Sequence, residues 1–142
     1  MNGLMPDVFT PIVVAHEKAH QRGITNEGEA NFVAFMTCSS AEQHKYLQYS
    51  AYLYAAMHLI SAASLQMPDE AKAAWDLLGE GPRNDLRAVR EFWARYEGRL
   101  TEVAQKVNDR YLRAQRVPGG VQSYSQVTRL LVALDREGGL VP

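Results

Sequence analysis

Apolar residues recur at helical spacing through most of this sequence, while the strict alternation that marks a half-buried strand is nearly absent. Breakers divide the pattern into segments. A first helix is expected from Asp7 or Thr10 to Arg22, with Gly23 as its C-terminal stop. A second begins near Asn26 and carries the apolar run Ala30–Met36. A third covers Ala41 to Leu65, and Pro68 opens a fourth that ends near Gly79. Asn84 to Arg116 reads as one long helix with Phe92, Trp93, Tyr96, Leu100, Val103, Val107, Tyr111 and Leu112 on an apolar stripe. Pro118-Gly119-Gly120 is a turn, and Ser123 or Ser125 caps a last helix ending near Glu137. The expectation is a mainly α single domain of five to six helices with little or no sheet, spanning residues 1–142.

The 142 residues suit one domain, and 46% hydrophobic with 22% charged residues is the balance of a soluble globular protein. A net charge of −1 gives no electrostatic footprint for nucleic acid, so none is expected as a partner. The longest apolar stretch, Ala51 to Ala63, is too short to cross a bilayer, and the first fifteen residues lack the pattern of a signal peptide. A single cysteine, Cys38, excludes an internal disulfide and reads as a small buried hydrophobe.

Chemistry concentrates in His16-Glu17-Lys18-Ala19-His20, an HExxH pattern. Positions i and i+4 of a helix share a face one turn apart, so both imidazoles can reach one zinc ion, and Glu17 is placed to take a proton from water. The bland reading is a solvated face that happens to hold two histidines. A catalytic zinc site needs a third protein ligand, expected from Glu27 or Glu29 once Gly23 has reversed the chain. If Asn26 is the N-cap, Glu29 falls at the third helical position, the capping-box position, which leaves Glu27 freer to face the metal. Glu27 is favoured and Glu29 is the alternative. Asn31, one turn beyond Glu27, is suited to orient a ligand from behind. Tyr124, Tyr111, Tyr46, Arg113 and His58 are candidates for the donor that stabilises an oxyanion. Tyr46, Tyr49, Tyr52 and Tyr54 equally fit the core and rim of a packed helix, and His58 fits a satisfied core histidine.

Ala15-His16-Glu17-Lys18-Ala19-His20-Gln21-Arg22-Gly23-Ile24, followed by Glu27-Gly28-Glu29-Ala30-Asn31-Phe32, resembles a bacterial family of predicted membrane-anchored zinc metallopeptidases catalogued as a domain of unknown function. The likeness continues in Val107-Asn108-Asp109-Arg110-Tyr111-Leu112 and in Gly120-Val121-Gln122-Ser123-Tyr124, and so spans most of the chain. Glu27-x-x-Ala30-Asn31 is also similar to the third-ligand segment of integral-membrane gluzincins. By that likeness Glu27 matches the metal-binding Glu and Asn31 the Asp behind it. The resemblance further implies that Asn108, Tyr111 and Tyr124 line or support the site. Family members carry transmembrane helices and a further segment before the HExxH helix, whereas fifteen residues precede His16 here. The chain is therefore expected to be the C-terminal part of a longer, membrane-anchored protein, or else a short gene product that keeps the metal site without a full cleft, in either case without a membrane segment of its own.

Together these readings give a zinc metallopeptidase acting on a peptide or protein, with His16, His20 and Glu27 as ligands, Glu17 as general base and Tyr124 as first choice of oxyanion donor. The rivals are a helical interaction module whose zinc is structural, with a fourth ligand such as His44 or His58, and a metal-free helical protein in which the pattern is accidental.

Overall fold

The computed structural model describes residues 6–97 and 122–139. In them the breakers fall where the helices end. A 3-10 turn at Asp7–Phe9 leads into α1, Thr10–Gln21, with Pro11 in the first turn where no amide donor is needed. α1 closes in a Schellman motif: Gly23 N–H donates to His20 O at 2.9 Å and Ile24 N–H to Ala19 O at 3.2 Å. Gly23 sits at φ 94°, a left-handed conformation that glycine adopts without strain. α2 spans Glu27–Ser39 and is capped by Asn26, whose side chain accepts from Glu29 N–H at 3.0 Å.

α3 spans Lys45–Gln66 and starts four residues later than expected, because Ala41–His44 form the turn that reverses the chain, with His44 N–H donating to Ala41 O. α4 is Pro68–Leu77, with Pro68 in the first turn as expected. α5, Glu80–Glu97, starts earlier than Asn84 because Pro82 lies within its first turn, where the missing N–H breaks nothing. Of the long helix expected over Asn84–Arg116, the part beyond Glu97 lies outside the described residues. α6 is Gln122–Arg136, so Ser123 and Ser125 lie inside its first turn and do not precede it as caps. No strand occurs among the described residues, and the expected single helical domain is what they form.

α2 is the central element and packs against α1, α3 and α6. Its Ala34 and Phe35 meet Ala51 of α3 and Val127 and Leu131 of α6 in one core, all at most 1% exposed. Phe35 also meets the Tyr52 ring edge-to-face at 6.1 Å. Phe35→Ala is expected to cost about 3–5 kcal/mol in urea unfolding, since it removes the largest fully buried side chain and leaves a cavity between three helices.

α5 contributes Leu86, Val89 and Phe92 to the core. Trp93, expected on the same stripe, is 51% exposed, because a residue adjacent to Phe92 is turned about 100° away from it. α3 and α5 are tied by Tyr49 Oη, which donates to Asp85 Oδ2 at 2.6 Å. Burial first, then this bond and the Asp85 charge, push the Tyr49 phenol up to about 12. A phenol of the unfolded chain ionises near 10. The folded state thus holds this proton more tightly, so the contribution is complete below pH 10 and is lost as pH rises from 10 to 12. Tyr49→Phe is expected to flatten this alkaline decline in denaturation midpoints measured from pH 8 to 12.

Candidate metal centre

The Arg22–Asn26 turn is short, so the last turn of α1 and the first turn of α2 lie side by side. That juxtaposition brings His16 and His20 against Glu27. His16 Nε2 lies 3.3 Å from Glu27 Oε2, and His20 Nε2 lies 3.4 Å from Glu27 Oε1. The two Nε2 atoms are 2.9 Å apart, with the rings edge-to-face. Donors held tetrahedrally at zinc's usual bond lengths stand about 3.4 Å from one another. The two His–Glu separations are close to that spacing, though they run to different carboxylate oxygens, and the His–His pair is tighter by about half an ångström. Two imidazole nitrogens and a carboxylate oxygen also form a donor set that zinc accepts.

The turn also sets a tautomer. His20 Nδ1 lies 2.7 Å from Ile24 O, and a carbonyl only accepts, so Nδ1 carries a proton, and in the neutral ring Nε2 is the nitrogen left with its lone pair. The Schellman motif that ends α1 therefore orients one of the two imidazoles. His16 Nδ1 is buried and has no partner among the described residues. The histidine side chains are 17% and 27% exposed and Glu27 is 55% exposed, so the cluster opens to solvent on the carboxylate side. Glu27 also sits in the first turn of α2, where the helix dipole favours negative charge.

Glu17 is exposed on α1 between the two histidines. Glu29 is exposed as well, and its amide is the one bonded to the Asn26 cap; the cluster forms with Glu27 and does not include Glu29. Asn31 is half-buried on α2 and makes no side-chain hydrogen bond among the described residues. Tyr124 lies in the first turn of α6. Asn108, Tyr111 and Arg113 lie outside the described residues. His44 is exposed at the start of α3, and the His58 ring lies 4.4 Å from that of Tyr54. Burial pushes the His58 pKa down. Neither histidine joins the cluster. Tyr46 Oη donates to Asp7 O at 2.5 Å, and Cys38 is buried with its thiol pKa pushed up by that burial.

Two contributors escaped sequence reasoning. One is the Ile24 carbonyl, which only the turn geometry reveals. The other is the contact of Gly28 with Gln126 of α6: a Cβ on Gly28 would stand 2.8 Å from Gln126 Cβ and Oε1. The signal was a glycine, a poor helix former, directly after Glu27. Gly28 lets α6 close on the turn that carries Glu27. Gly28→Ala is expected to cost about 1–3 kcal/mol by chemical denaturation. Gly81→Ala, where a Cβ meets nothing within 4 Å, is expected to leave stability unchanged or raise it slightly.

Fold and geometry together define a helical domain with a solvent-open His–His–carboxylate cluster shared by an HExxH helix and the helix that follows. The chain belongs to the family described as Protein of unknown function (DUF3810), which it matches over residues 1–132. No curated protein and no solved structure matches it.

Proposed function

We propose that this chain is a zinc-dependent metallopeptidase. The observation that carries the reading is the cluster of His16 Nε2, His20 Nε2 and the Glu27 carboxylate, with ligand atoms within 4.8 Å of one another, beside an α1 helix whose next residue after His16 is a glutamate. His16, His20 and Glu27 would hold the metal. Zinc there would act as a Lewis acid that brings the pKa of water close to neutrality. Glu17 takes the proton of the attacking water and delivers it to the leaving amine. Tyr124, in the first turn of the helix packed on α2, is proposed as the donor to the oxyanion. The exposed carboxylate side of the cluster is where a peptide would reach the metal.

Membrane attachment of the parent protein is part of this reading and draws on the sequence resemblance alone. No helix among the described residues is long and apolar enough to cross a membrane. The test is zinc uptake by chelator-rinsed protein, followed by hydrolysis of a mixed peptide pool with and without the metal. One zinc per chain with zinc-dependent cleavage is the expected result. Zinc uptake without cleavage would turn the reading into a zinc-bearing interaction module. No uptake would remove the metal from the account altogether.

A further inference from the structure

On the face of α1 turned away from His16 and His20 lies a hollow of about 560 Å³, between α1, α2 and the start of α3. Its volume is in the range of small-molecule sites. It exists because α1 presents the small side chains Ala15 and Ala19 there, opposite Val33 of α2 and Leu47 of α3, with Val14 at the edge. The wall is mainly apolar, and its two cations lie together at one end. There Lys18 and Arg22, one helical turn apart, border the opening, and neither is in an ion pair among the described residues. Both are exposed. Of the hydroxyls that line it, Thr37 Oγ1 donates to Val33 O and Tyr46 Oη to Asp7 O, while Thr10 stands at the other end of α1 from the two cations.

The bland reading of Lys18 and Arg22 is two solvated cations that complement the C-terminal end of the α1 dipole. That reading accounts for the charges and leaves the hollow beneath them without a use. We propose that the hollow binds a single alkyl chain ending in an anionic group, the chain lying over Ala15, Ala19 and Val33 and the anion meeting Lys18 and Arg22. The half-open, mainly apolar hollow suits one chain better than the broad face of a helix, and the pair of cations selects the sign of the head group. The site stands apart from the metal centre, because Lys18 and Arg22 lie on the opposite side of α1 from the two histidines.

The experiment is calorimetric titration of the full chain, without added zinc, with decanoate, 1-decanol and hexanoate, each below its aggregation limit. Decanoate is expected to bind one per chain, at least tenfold tighter than decanol. Hexanoate should be weaker again, by about fourfold for each methylene lost. The double variant Lys18→Glu/Arg22→Glu, both positions being exposed, should weaken decanoate at least tenfold and leave decanol unchanged. Ala15→Phe should abolish binding of both, with circular dichroism reporting that the helices remain. Equal binding of decanoate and decanol, or unchanged decanoate binding in the charge-reversed protein, would overturn the proposal. So would tight binding of an acidic amphipathic peptide in place of decanoate. None of these readings depends on zinc, so the result is separate from the fate of the peptidase proposal.

Discussion

Glu17→Gln is expected to take up one zinc per chain, as is expected of the unaltered protein, and to hydrolyse peptides about 10²–10⁴-fold more slowly than it. The separation of these two readouts follows from position. Glu17 is not among the three converging side chains, and it is exposed on the outer face of α1, so a carboxamide of the same shape disturbs neither ligands nor core. What the substitution removes is the ability to accept a proton. A glutamine can hold a water by hydrogen bonding but cannot take its proton and pass it to an amine. Full hydrolysis by this variant, with the parent protein active, would place the base elsewhere. Loss of zinc together with activity would mean that Glu17 supports the ligands.

The helical class of the fold was legible because it rests on periodicity and on strong breakers. Gly23 and Pro68 mark the ends and starts they are chemically suited to mark. Boundaries were less legible where the deciding interaction lay elsewhere in the chain. The later start of α3 reflects a turn at Ala41–His44, and nothing in the apolar pattern distinguishes a turn of Ala-Glu-Gln-His from a helix start. Trp93 was misplaced because Phe92 and Trp93 are equally apolar, and only the contact surface of α5 decides which of two neighbours is buried.

The site shows the same division. The spacing of His16 and His20 and the cap at Asn26 are local, and together they let Glu27 be favoured over Glu29. The carbonyl of Ile24 is a backbone group with no signature in the residue that bears it, and the Gly28–Gln126 approach joins positions 98 residues apart. Long-range contacts of this kind are where sequence reasoning about a single chain runs out, because neither partner is unusual alone.

His20→Ala is expected to weaken zinc binding at least a hundredfold. Changes to groups that merely orient a ligand commonly cost 10–100-fold, and this one deletes a proposed ligand whose orientation the turn has already arranged. Thermal unfolding reads the effect directly. Zinc bound to the folded chain at a hundred times its dissociation constant stabilises by about 2.7 kcal/mol. In a chain of this size that raises the melting temperature by roughly 5–11 °C. At the same zinc concentration His20→Ala should shift by no more than about 2 °C, because a hundredfold weaker site is only half filled. Metal-free His20→Ala should melt within a few degrees of the metal-free parent, since the side chain is partly exposed and its one backbone bond, to Ile24 O, lies in a turn held by two other hydrogen bonds. An equal zinc shift in both proteins would assign the metal to other residues. Its absence from both would leave the HExxH helix with nothing to hold.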